Sequence, residues 1–225
     1  MDTQLNVNTN LNTTQVKKPS VIGIITSPKK QFIRMKEKSP ILLPLVLIMI
    51  LLLVSGGLVS YTGLNNPDLQ AINGDSDLKV PNAVLFGLGA GGSLLSGTIG
   101  LLINAAFYKV CMAVMKNKTS YKKLLAVVIY STIISLVGLL INSILAIITN
   151  GYDVTYTSLA PLFNQDKGIL YSILQKFDIF NVWYYVVLGL GLNIVGGLGK
   201  SKTILLISLV FIITTAVSAL PHILS

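Results

Sequence analysis

The feature that most constrains this chain is the recurrence of apolar runs as long as a bilayer is thick. The first is "ILLPLVLIMILLLVSGGLVSY", Ile41 to Tyr61, with no charge in it. A helix needs roughly 20 such residues to cross the hydrocarbon, and only helices and closed barrels satisfy their own backbone polar groups there. Four more runs follow: about 84–115, 124–149, 179–198 and 203–220. The second exceeds the usual length and must tilt or extend past the hydrocarbon. The polar "GKSK", Gly199 to Lys202, makes the last two runs antiparallel neighbours. The expected fold is an all-α, polytopic membrane protein, a bundle of five transmembrane helices. Composition agrees, since 52% of the 225 residues are hydrophobic and 11% are charged.

Charge orients the bundle. Alternate segments on the side of the N-terminus carry Lys17, Lys18, Lys29, Lys30, Arg34, Lys36, Lys38, Lys109, Lys116, Lys118, Lys122, Lys123, Lys200 and Lys202. Only Lys79, Lys167 and Lys176 lie opposite, among Asp68, Asp75, Asp77, Asp153, Asp166 and Asp178. The positive-inside bias therefore predicts a cytoplasmic N-terminus and an outside C-terminus. The pI of 9.6 follows from that asymmetry and calls for no nucleic acid.

Glycine motifs raise and then lose a nucleotide reading. Gly87, Gly89 and Gly92 have G-x-G-x-x-G spacing, but no strand signal precedes them and Lys109 stands near where a ribose-binding acid belongs. "GGLGKS" fails as a Walker loop because Ile194 occupies the first glycine's place. Three stripes of small and polar residues suit helix contact instead: Gly92, Ser96, Gly100 and Asn104; Ser131, Ser135, Gly138 and Asn142; Gly189, Asn193 and Gly197. As each stripe holds an asparagine, each is expected to face protein. Cementing the bundle is the plainer use. The sharper alternative is a small secondary transporter or channel with an asparagine-lined interior.

Chemistry-bearing residues are sparse. No Asp, Glu or Arg falls inside a run, and Lys109 can snorkel to the inner interface. The lone histidine, His222, can build no triad or histidine metal cluster, and H-E-x-x-H and G-x-S-x-G are missing. The expectation is no enzyme, with no catalytic, cofactor-binding or metal residue. Cys111, the single cysteine, forms no internal disulfide and reads as a small buried residue, palmitoylation being the lesser alternative. Asp75 and Asp77 fall in a polar loop and read as solvated.

Three domain-level segments result. Residues 1–26, polar at the start and without a signal-peptide core, read as a disordered cytoplasmic tail. Residues 27–40 read as a basic amphipathic helix with Ser27 as N-cap and Pro28 at N1. There Phe32, Ile33 and Met35 interrupt Lys29, Lys30, Arg34, Lys36 and Lys38, a pattern suited to the anionic inner leaflet. A stop-transfer charge cluster is an equally open reading, and a docking surface for a partner is a third use. Residues 41–225 hold the five spans. Between the third and fourth, Leu170, Ile173, Leu174 and Phe177 share one helical face that rests on the outer interface or caps the bundle.

The stretch "FDIFNVWYYVVLGLGL", Phe177 to Leu192, resembles the D-[IL]-F-x-[IV]-W segment that opens the fourth span in bacterial members of the Yip family. These are five-span proteins named for binding Rab-type GTPases in eukaryotes. "ITSPKKQFIRMKEKSP" is similar to the family's S-P-x-x-x-F lead-in, and "NKTSYKKLLAVVIYS" to its basic loop leading to a Tyr-Ser pair. The proline often found soon after that pair is replaced here by Ile133 or Ile134. The resemblance covers roughly residues 21–220 and points to the branch from low-GC Gram-positive bacteria. It implies a non-enzymatic adaptor or assembly protein, an accessory partner of an ABC-type efflux system for toxins or antimicrobial peptides. It also marks Asp178, Phe180 and Trp183 as family-motif residues. The expected partners are lipid and other membrane proteins, self-association being a third use. Asp178 suits a helix N-terminus and Trp183 an interface.

Overall fold

The computed structural model describes residues 17–67, 70–71, 80–153, 155–163 and 168–224. Two short helices come first, α1 (Gly23–Thr26) and α2 (Pro28–Met35). The long helices α3 (Leu42–Gly63), α4 (Asn82–Val114) and α5 (Tyr121–Ile148) follow. A 3-10 turn at Ala160–Phe163 leads to α6 (Ile169–Lys176), α7 (Ile179–Ile194) and α8 (Lys200–Ala219), and the turn α9 (Pro221–Leu224) ends the described chain. No strand occurs among the described residues.

Among the described residues four helices, α3, α4, α5 and α8, are long and apolar enough to cross a membrane. The remaining expected span differs from a straight rod. At 16 residues α7 falls short of the bilayer, and α6 meets it at 52°, so only the pair together makes a fifth candidate. At its other end α7 stops before residue 198, because Gly197 takes a left-handed conformation (φ +67°) that turns the chain. Comparable stops end α4 and α5. Lys116 (φ 59°) and Asn150 (φ 52°) sit just past the helices. The next amides, of Asn117 and Gly151, reach back to the carbonyls of Met112 and Ala146 at 2.8 Å each, closing Schellman motifs.

The helix α5 is the centre of the bundle. Residues 126–129 on it are fully buried, and so are Tyr130 and Ser131 to within 1%. Helix α3 packs antiparallel on α4 through a small-residue seam: an added methyl at Gly56 would overlap Ser93, at Gly89 Ser60, and at Gly97 Leu52. Helices α7 and α8 form the expected hairpin, with the Tyr185 hydroxyl 3.0 Å from Thr214 Oγ1 and the Tyr185 and Phe211 rings 5.3 Å apart.

The N-terminal segment departs from expectation. Residues 1–16 of the expected tail lie outside the described residues, but residues 17–26 do not hang free. Ile24 has no exposed surface and belongs to the core. Helix α2 begins at Pro28 after Ser27, as the sequence predicts, although the Ser27 side chain makes no cap bond. Phe32 and Met35, also without exposed surface, point into the bundle rather than into lipid. A bundle offers an apolar side chain specific packing as well as escape from water, which a flat position on lipid does not.

Candidate functional site

Three tertiary joints organise the molecule, and two of them rest on residues that the sequence marks. At one end, Asp178 caps α7. Its Oδ1 accepts from the backbone amides of Phe180 (2.8 Å) and Asn181 (3.0 Å), satisfying donors that a helix N-terminus leaves open. Its Oδ2 accepts from the Thr157 hydroxyl and, at 3.4 Å, from Asn142 Nδ2. Asn142 is 4% exposed and completes the joint. Its amide nitrogen also donates to Gly138 O and Thr157 Oγ1, and its oxygen accepts from Thr157 N at 2.8 Å. One carboxylate thus ties α5, the 150s loop and α7 together. Close approach depends on Gly138, where a methyl would overlap Phe180, the third residue of the D-I-F-N-V-W segment.

At the opposite end lies a joint that the sequence reading did not single out. Asn117 Nδ2 donates to Gly196 O at 3.0 Å and Thr119 Oγ1 to the same carbonyl at 2.5 Å. Lys109 Nζ donates to Thr119 O at 2.7 Å, so this lysine does turn toward the end of its helix. Lys202 Nζ approaches Met115 O at 3.5 Å. The α4–α5 and α7–α8 connections therefore share one end of the bundle. The sequence marked this loop only as the family-like basic stretch "NKTSYKKLLAVVIYS", without pointing to Asn117 or Thr119 as bonding residues.

The third joint seats the N-terminal arm. Trp183 Nε1 donates to Ile25 O at 3.2 Å, so this tryptophan holds chain as well as flanking the bundle surface. Gly191 leaves room for Phe32 and Val127, both of which a methyl there would overlap. Ser20 N and Arg34 Nη1 both donate to Gln31 Oε1, at 2.9 and 3.2 Å.

The three expected stripes have different fates. On α5, Ser131, Gly138 and Asn142 are buried and Ser135 half-buried. On α7, Gly189 faces α8, 3.4 Å from Ile207 Cγ1 for an added methyl, while Asn193 donates to Leu198 O at 2.7 Å and Gly197 forms the turn. On α4 the stripe does not face protein within this chain. Gly92 and Gly100 have nothing opposite them, and Ser96 and Asn104 are exposed. Their side chains bond back to Gly92 O (2.7 Å) and Gly100 O (3.0 Å), which satisfies part of their polarity without a partner. The neighbouring register, Gly89, Ser93 and Gly97, makes the internal seam instead.

The asparagines do not converge on a pathway. A cleft of about 320 Å³ borders Ser135, Asn142 and Asp178, but neither Asn104 nor Asn193 borders it. Among the described residues no group of three or more His, Cys, Asp or Glu side chains could hold a metal ion. Asp75 and Asp77 lie outside the described residues. His222 borders a shallow cleft with Tyr152, Asp153 and Tyr171, where the Tyr171 hydroxyl donates to Asp153. Cys111 is free and half-buried on α4.

This architecture defines an integral, multi-pass, all-helical membrane protein whose polar residues serve mainly as joints between helices. Residues 22–220 match the model of the Yip1 domain, and the chain belongs to the Yip1 family. It is 35% identical over 193 residues to "Membrane protein YknW" of Bacillus subtilis (strain 168), an alignment covering 83% of each chain. That is the YknW-like branch to which the motifs point. No solved structure matches the chain.

Proposed function

We propose that the protein is a non-enzymatic membrane adaptor whose α4 receives a helix of a partner membrane protein. The observation that carries this reading is the outward stripe of Gly92, Ser96, Gly100 and Asn104. α4 is 33 residues long, yet only 6% of its most apolar window is buried inside the chain. In lipid, helices associate through close backbone approach and interhelical hydrogen bonds, and this face offers both. The family motifs support an ABC-type efflux system for toxins or antimicrobial peptides as the partner. The accumulation of lysines at the end holding the α4–α5 and α7–α8 connections supports a cytoplasmic position for that end, with the C-terminus outside. An asparagine-lined transport path finds no support in the separate placements of Asn104, Asn142 and Asn193.

Tagged protein extracted in mild detergent is expected to bring down the ATPase and permease of such a system. A Gly92→Leu/Gly100→Leu variant is expected to stay folded and lose them. Recovery of no membrane partner by the unaltered protein would overturn the adaptor reading.

A further inference from the structure

We propose that the outward face of α2 is a binding site for the phosphate-bearing headgroup of an anionic membrane lipid. The docking of the arm fixes which face that is. Pro28, Gln31, Phe32 and Met35 are buried in the bundle, while Lys29, Lys30 and Ile33 are exposed and Arg34 is half-buried. A free amphipathic helix binds a bilayer by burying its apolar face. Here the protein already occupies that face, so the membrane meets the basic one.

Shape and charge identify the ligand. Ser27, Pro28, Lys29, Lys30, Ile33 and Arg34 surround an open depression of about 450 Å³. Three cations line it, and between residues 17 and 36 the sequence has no Asp or Glu at all. Pro28 and Ile33 give the depression an apolar floor, which a free phosphate would not use and the glycerol and first acyl carbons of a lipid would. Arg34 is held ready, because its guanidinium donates to Gln31 Oε1 (3.2 Å), and Gln31, 4% exposed, is fixed by the Ser20 amide. A guanidinium in a set position gives up less freedom on grasping phosphate than a loose one. The chain on both sides of α2 exposes apolar surface suited to lipid: Ile22 before it is 78% exposed, and Leu42 and Leu43, which open α3 after it, are 77% and 75% exposed.

The test uses the full chain purified in neutral detergent and offered equimolar phosphatidylglycerol and phosphatidylcholine, with retained lipid counted by native mass spectrometry. Phosphatidylglycerol should be retained preferentially, and a K29Q/K30Q/R34Q variant should reduce that preference by about tenfold or more. Trp183 is the only tryptophan and bonds the arm, so unchanged emission certifies that the variant's arm is still docked. If emission shifts, K29Q/K30Q, which alters only exposed side chains, replaces it. Equal retention of the two lipids, or a docked variant that keeps the preference, overturns the proposal. Displacement of the lipid by millimolar inorganic phosphate, or by a glutamate-rich peptide at micromolar level, overturns it too, in favour of a free anion or an acidic protein segment.

Discussion

Asp178 shows how one residue can do several structural jobs in a membrane protein. Two of its bonds satisfy the α7 N-terminus and two more hold Thr157 and Asn142. Replacing it with alanine removes a cap and leaves partly buried donors without their acceptor. The expected loss is about 1–3 kcal/mol, below the cost at a fully dry site because Asp178 is half-exposed. Unfolding of Asp178→Ala in mixed micelles of mild detergent and dodecyl sulfate measures it; stability equal to the parent would remove the joint from this account. The sequence already placed this residue at a helix start, through the D-I-F-N-V-W motif. It did not reveal Thr157 or Asn142 as partners, since 21 and 36 residues separate them from Asp178 and only folding brings them near.

At the scale of elements, α4 separates what a pattern can say from what packing decides. Gly89–Ser93–Gly97 and Gly92–Ser96–Gly100 have the same spacing and lie on adjacent strips of one helix. In water, polarity would reveal the outward strip; in lipid both strips are acceptable on either side. The structure assigns the first to α3 and leaves the second open. Gly89→Leu is therefore expected to destabilise the chain by about 1–3 kcal/mol through collision with Ser60 and the Gly56 carbonyl. Gly92→Leu should leave stability unchanged within about 0.5 kcal/mol. Comparable losses for both in the same unfolding assay would mean that the α3–α4 register is different. The arm offers a second case. The S-P-x-x-x-F pattern shows an amphipathic helix, and Phe32 does lie on its apolar side, but the choice of bundle over bilayer depends on the gap left by Gly191.

For the whole molecule, chain tracing and charge meet. Asn117, Thr119, Gly196 and Lys202 lie together at one end, and Asn142, Thr157 and Asp178 at the other. With the Asn117 and Gly196 end cytoplasmic, single cysteines at Lys118, Ser201 and Lys36 in a Cys111→Ser background should react with a membrane-impermeant maleimide only after the cells are opened. A cysteine at Tyr152, exposed at the opposite end, should react in intact cells. Labelling of Lys118 and Tyr152 positions from the same side would refute the orientation and the count of crossings together.

Sequence alone determined the class of the molecule, because apolar length and lysine asymmetry act segment by segment and need no neighbour to be read. It also marked where α7 begins, through the acidic cap at Asp178, whose preference is local, whereas it read Gly197 as part of a helical stripe and the structure makes it a turn. Tertiary structure decided the rest: the bend between α6 and α7, the seating of the arm, the polar joint at Gly196 and the strip of α4 that stays open. Those depend on which side chain meets which gap across tens of residues. In hydrocarbon, where apolar surface gains nothing simply by facing inward, the hydrophobic pattern carries little record of that choice.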